Sequence, residues 1–265
     1  MPRAGDIFYV RHGGPGSGPP VILIHGAGGT HLHWPPQVRR LPGRWLHALD
    51  LPGHGRSAPP GKQSVADYAD SVLSFMDSLC LARAILMGHS MGSAIALTCA
   101  LEYPSRVLAL ALLGAAAKLS VAPRISQALS TPATLTLAVE LLVKYSYSPV
   151  TSPRLKELAA ARLATADPVV LRGDFMACDD FDVADGLAEL RVPTMILAAA
   201  DDQMTPAKDA ESLRRSIAGS RLDLIAEAGH MMILEQPNAV ARALDGFLAE
   251  LARAEPSLAP SHAGS

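Results

Sequence analysis

The sequence predicts an α/β protein with a mostly parallel central sheet of about eight strands and helices on both faces. Three observations carry this reading. Short apolar runs rich in valine, isoleucine, leucine and alanine recur along the chain, and stretches with helical periodicity separate several of them. A long proline-punctuated stretch then interrupts the alternation without supplying a strand.

The elements follow in order. Residues 7–11 read as an early edge strand. Residues 21–24, Val-Ile-Leu-Ile, are apolar on every side, as a strand buried on both faces must be, and they stop at His25-Gly26. Comparable runs lie at Trp45–Leu49, residues 84–87, Val107–Leu113, Thr194–Ala199 and residues 222–226. Helical patterns occupy residues 64–81, 91–103, 207–217 and Pro237–Ala254. Right-handed crossovers would place such helices on both faces of a parallel sheet. Between about Lys118 and Leu190 there are only short helical patterns, separated by Pro123, Pro132, Pro149, Pro153 and Pro168. One crossover rarely needs so many residues, so this stretch reads as a helical cap over the sheet edge; ordinary crossover helices are the alternative. The expected plan is a core of residues 1–117 and 191–254, a cap of residues 118–190, and a disordered tail at 255–265.

Composition narrows the function classes. With 49% hydrophobic and 18% charged residues, the chain reads as globular rather than disordered. A formal net charge of -2 and scattered basic residues argue against nucleic acid or membrane as partner. Cys80, Cys99 and Cys178 are odd in number and form no CxxC pair, so neither a disulfide framework nor a zinc site is indicated. The first ten residues contain no apolar signal region, and no uncharged apolar run is long enough to span a bilayer. The expectation is a cytoplasmic protein, monomer or homodimer.

The chemistry centres on Gly88-His89-Ser90-Met91-Gly92. A Gly-x-Ser-x-Gly sequence is weak by itself, but here an apolar strand precedes it and a helical pattern follows. That order makes a sharp strand-to-helix turn which lifts the serine above the sheet. The glycines give the turn room, and the helix N-terminus favours developing negative charge. A serine merely capping the helix is the bland alternative. Ser90 as nucleophile needs a base. His230, in a loop between a strand and the last helix, is the candidate, because sites of α/β folds form at the C-terminal edge of the sheet. An acid must hold the base, and Asp201 and Asp202 both follow the Thr194–Ala199 strand; only one can face His230. The loop His25-Gly26-Ala27-Gly28-Gly29 could aim its backbone at a substrate, so the N–H groups of Ala27 and Met91 are the candidate oxyanion donors. Its spacing matches neither nucleotide-binding glycine pattern. Asp50, opening Asp50-Leu51-Pro52-Gly53-His54-Gly55-Arg56-Ser57, reads as a turn residue that satisfies nearby N–H groups, and His54 as structural. His25 and His89 flank the site as polar neighbours or pocket residues. No metal ligand set is visible, and no cofactor is called for.

Taken together, these motifs resemble the α/β-hydrolase superfamily, in particular its small capped esterases, enol-lactonases and C–C hydrolases. The resemblance runs from Ile7 to about Leu251 and includes Asp202-Gln203-Met204-Thr205-Pro206 and Gly229-His230 with Glu235-Gln236-Pro237. In that family the acid lies shortly before a proline, which implies Asp202 rather than Asp201. Ala199-Ala200 departs from the more usual glycine there. The resemblance implies a triad of Ser90, Asp202 and His230 that cleaves a small-molecule ester through an acyl-enzyme, with a cap-lined apolar pocket. Pocket candidates are Leu129, Leu135, Leu142, Phe175, Met176, Met204 and Met231, with Met232 nearby. C–C hydrolysis, lactone opening, acyl transfer and perhydrolysis use the same machinery and stay open. A ligand-binding protein on the same fold is the reading from another class.

Overall fold

The computed structural model describes residues 3–254. The proposed tail therefore lies outside the described residues. Eight strands form one sheet in the order β1-β2-β4-β3-β5-β6-β7-β8. They are β1 (Arg3–Ala4), β2 (Ile7–His12), β3 (Pro20–Ile24), β4 (Trp45–Leu49), β5 (Ala84–His89), β6 (Val107–Leu113), β7 (Thr194–Ala199) and β8 (Arg221–Ile225). From β4 to β8 all neighbours are parallel, while β2 runs antiparallel to both β4 and β1. The expected edge at residues 7–11 is corrected: the two-residue β1 covers that side, so β2 is an interior strand.

Helices cover both faces. They are α1 (Pro36–Arg39), α2 (Val65–Ser78), α3 (Met91–Glu102), α4 (Pro123–Ala128), α5 (Leu135–Ser146), α6 (Pro153–Leu163), α7 (Pro168–Asp179), α8 (Ala207–Ser216), α9 (Met232–Glu235) and α10 (Pro237–Ala254). The period-two alternation of each strand divides the core. Ile22, Ile24 and Leu86 pack with α2 and α3 residues on one face. Val21, Leu23, Ile85 and Met87 pack with α10 residues on the other. Helix α3 passes through the first of these layers and is buried from Met91 to Ala100, which explains why its sequence is apolar on every side. Ser64 caps α2 by accepting the Asp67 N–H at 3.0 Å.

Four helices, α4 to α7, fill the chain between β6 and β7. The two ends of this insertion are zipped together. Leu119 N–H donates to Phe181 O, Val183 N–H donates to Ala117 O, and Lys118 pairs with Asp182 at 3.0 Å. Part of the insertion has its own small apolar centre, including Ile125, Leu129, Ala138, Leu142 and Leu171. Among the described residues, no helix is long and apolar enough to cross a membrane.

Candidate active site

Ser90 stands between the end of β5 and the start of α3 with φ 55 and ψ -120. A non-glycine residue at such a φ stores on the order of 1–3 kcal/mol of strain and persists only where its surroundings over-determine it. Here they do. Ser90 N–H donates to Leu113 O at 2.9 Å, and Ser90 O accepts from Ser93 N–H at 2.8 Å. Ser93 Oγ donates to Gly88 O at 2.7 Å and accepts Leu113 N–H at 3.1 Å. The motif glycines are a steric requirement. A Cβ on Gly88 would lie 2.1 Å from Gly92 O, and one on Gly92 would lie 2.2 Å from Ile24 O. Gly26 also approaches Ser90, since a Cβ there would sit 3.0 Å from the serine Cβ.

The two adjacent aspartates separate as an extended chain requires. Asp201 turns away: its carboxylate accepts from Ser148 Oγ at 2.6 Å. Asp202 is buried and faces the histidine, with His230 Nδ1 donating to its Oδ2 at 2.9 Å. Thr205 Oγ1 donates to the same oxygen at 2.9 Å, while Met204 N–H and Thr205 N–H reach Oδ1 at 2.8 and 2.9 Å. Burial alone would raise the Asp202 carboxyl. The charge and hydrogen bond of His230 and the two Thr205 donors outweigh it and hold the group below its ordinary 3.8. Glu235 fixes the histidine loop by accepting from Gly229 N–H at 2.9 Å and Ser148 N–H at 2.8 Å. No hydrogen bond links the Ser90 hydroxyl to the His230 ring, but both line the same cavity, whose volume is about 380 Å³.

Ala27 lines that cavity too. Neither its amide nor that of Met91 donates to a protein acceptor among the described residues. The next residue, Gly28 at φ 62, is tied down: its N–H donates to Asp174 Oδ2 at 2.8 Å. Asp174 comes from α7 and is fully buried, and it also accepts Tyr68 Oη at 2.6 Å and His54 Nε2 at 2.7 Å. The other nitrogen of His54 donates to Pro52 O at 3.0 Å. Two acceptors on one ring require two donors, so His54 is an imidazolium. Burial works against that charge, but the hydrogen bond and charge of Asp174 prevail and raise its pKa above 6.5. Asp50 plays the turn role read from the sequence, accepting His31 N–H at 2.7 Å and Arg56 N–H at 2.9 Å.

The predicted neighbours divide. His89, Leu142, Phe175, Met204 and Met231 line the cavity. His89 donates Nε2–H to His230 O at 2.7 Å, and burial and then the His230 charge push it down to about 3, so it is a neutral ring. The remaining candidates are corrected. His25 does not line the cavity: it is buried, with Nδ1–H donated to Gly26 O and Nε2 accepting Leu51 N–H, and it braces the loop. Leu129 and Leu135 pack in the insertion's own apolar centre. Met176 faces outward at 43% exposure, and Met232 belongs to the core under α10. Helical periodicity places Leu129, Leu135 and Met176 on or at the end of insertion helices but does not say which face meets the core.

Sequence reading gave no role to Ser93, Thr205, Glu235 or Asp174. Two left a signal. Asp174 stands in line with Leu171 and Cys178 on the buried side of α7, an acid within an apolar stripe. Thr205 closes an Asp-x-x-Thr turn of the kind aspartate builds with its own downstream amides. Among the described residues no group of three or more His, Cys, Asp and Glu side chains suits a metal ion.

Known proteins resemble this chain over nearly its whole length. It is 29% identical over 257 residues to a Caulobacter sp. (strain K31) protein named as the carbamate hydrolase RutD, covering 91% of this chain and 95% of the other. It is 24% identical to 3-oxoadipate enol-lactonase 1 of Acinetobacter baylyi, covering 93% and 94%. Among solved structures, a thermophilic esterase superposes with a TM-score of 0.80 at 29% identity, covering 92% and 94%. Residues 21–243 match the model of the alpha/beta hydrolase family, and the chain belongs to that family.

Proposed function

We propose that this chain is a serine hydrolase that cleaves carboxylic esters of small to medium size, with Ser90 as nucleophile, His230 as base and Asp202 as the acid that holds it. The observation that carries the reading is the pairing of a strained serine with a histidine whose Nδ1 is bound by a buried, ionised aspartate, both lining one cavity. His230 takes the Ser90 proton as the hydroxyl attacks the acyl carbon. The Ala27 and Met91 amides receive the oxyanion, an interaction that costs about 3 kcal/mol of transition-state stabilisation when one donor is lost. His230 then protonates the leaving alcohol. Water, deprotonated by the same ring, attacks the acyl-enzyme and releases the acid. Hydrogen bonds of this kind are often long in an empty site and tighten with substrate, so the free Ser90 hydroxyl is compatible with the scheme. Residues 118–190 act as the cap, supplying Leu142, Phe175 and the α6 face to the cavity wall.

A panel of p-nitrophenyl esters tests this. Turnover is expected for the native chain and is lost in Ser90→Ala. A fluorophosphonate probe should label Ser90 in the native chain and not in a His230→Gln variant. An unlabelled native chain that binds esters without cleaving them would leave the ligand-binding reading. Lactone opening by the same groups is the second reading, favoured by the enol-lactonase relative. Faster turnover of lactones than of open esters of equal size would select it.

A further inference from the structure

Helix α6 has no buried residue, yet Leu155, Leu158, Ala159, Arg162 and Leu163 all line the cavity that holds Ser90 and His230. Their spacing, i, i+3, i+4, i+7 and i+8, is one continuous stripe of a helix. Four of the five are apolar and the fifth is an arginine. On the outer side of α6, Arg154 pairs with Glu157 at 3.4 Å. The Arg162 guanidinium has no hydrogen bond or ion pair among the described residues. Among the described residues no carboxylate lines the cavity, and Arg162 is the only arginine or lysine that does. A basic residue in a last turn complements the helix dipole, but it does so from any face. Here it interrupts the apolar face turned to the cavity. Its charge is felt inside: His33, another wall residue, is pushed down to about 4 by burial first and by Arg162 second.

We propose that Arg162 is a specificity-determining residue that binds a carboxylate carried by the substrate, so the preferred substrates are acid-ended esters, with one carboxyl esterified and a second free. This rests on the ester-hydrolase reading above. A guanidinium presents two parallel N–H groups that match the two oxygens of a carboxylate. A single cation in the otherwise apolar α6 stripe balances one negative charge, whereas a phosphate dianion would keep a charge unpaired. The apolar stripe before Arg162 suits the methylene chain joining the two ends of such a molecule.

The test compares monomethyl esters of straight-chain dicarboxylic acids with methyl esters of the matching monocarboxylic acids, over a range of chain lengths. The quantity read is the ratio of kcat/KM, acid-ended over neutral. In the native chain the ratio should exceed one and peak at one length, where the carboxylate reaches Arg162. Arg162→Gln should lower it roughly tenfold or more, chiefly through KM. Arg162→Lys should keep part of it, and Arg162→Glu should lower it furthest. Arg154→Gln, which removes a surface charge from the same helix, should not move it. Thermal melting of each variant checks folding. A ratio unchanged in Arg162→Gln, or lowered equally by Arg154→Gln, overturns the inference. Hydrolysis of esters without regard to charge sinks the inference alone and leaves the ester hydrolase standing; no turnover of any ester and no labelling of Ser90 sinks the reading beneath it.

Discussion

His230 and His54 each hydrogen-bond a buried aspartate, Asp202 at 2.9 Å and Asp174 at 2.7 Å. From the pair alone they could not be told apart. The second ring nitrogen separates them. His54 spends its other nitrogen on Pro52 O, so the ring is charged, saturated and closed to a substrate proton. Among the described residues, the Nε2 of His230 has no protein partner, and its ring lines the cavity. The aspartates differ in the same sense. Asp202 draws its donors from its own turn and from His230, and so organises one histidine. Asp174 collects Tyr68 from α2, His54 and the Gly28 amide, and so ties α7 of the insertion to the loop beside Ala27. In the proposed mechanism the first pair moves a proton; the second holds backbone in place.

The largest expected effect sharpens that contrast. His230→Gln should lower kcat on esters by roughly 10⁵-fold with little change in melting temperature. His54→Gln should do the reverse. Glutamine satisfies one of the two acceptors at best, leaving a buried polar group unpaired at a cost of about 1–3 kcal/mol, or a fall of about 5 °C in Tm, while activity stays within about tenfold. Steady-state kinetics and calorimetry on the two variants read both quantities. A His54→Gln chain that melts normally but has lost its activity would break the comparison.

Next in size, Asp202→Asn should lower kcat by about 10⁴-fold, because an amide holds the imidazole in the wrong tautomer. Asp201→Asn, one residue away and bonded to Ser148 instead, should cost less than about threefold. Equal losses would mean that the two carboxylates share the task.

The smallest effects lie in the pH dependence of stability, where the two pairs carry opposite signs. The pKa of His54 is raised above 6.5, so its contribution is complete below that value and is lost as pH rises through the folded pKa. The pKa of Asp202 is held below 3.8, so its contribution is present above that value and is lost as pH falls through the folded pKa. Denaturant titrations against pH should show the stability gap between native chain and His54→Gln narrowing above neutrality. The gap between native chain and Asp202→Asn should narrow only in acid. A His54 gap that widens as pH rises would mean that the ring is neutral in the fold.

Local and distant information contributed differently to these sites. The strand-to-helix turn at Ser90 is legible in the chain because its cause is local: glycines at 88 and 92 stand where neighbouring backbone leaves about 2 Å for a Cβ. The strands from β4 to β7 were legible for the same kind of reason, since short, mostly apolar runs bounded by turn residues suit a doubly covered sheet. The candidate acid was narrowed to two adjacent residues by position and then to one by resemblance; in the fold it is the Asp202 carboxylate that meets both the Thr205 turn and the His230 ring. The insertion was legible as helices and illegible as a surface. Leu129, Leu142 and Met176 carry the same helical pattern, yet the first packs inside the insertion, the second lines the cavity and the third faces outward.

By itself, then, the sequence determined the alternation of strands and helices and the bend that presents Ser90, because periodicity and glycine placement act over a few residues. Only the tertiary structure decided that His230 keeps a free nitrogen while His54 does not, and that Asp174 and Arg162 stand at the loop and the cavity. Those outcomes depend on partners up to 146 residues apart, as for Gly28 and Asp174, and no local pattern records which distant group will fill a vacant hydrogen bond.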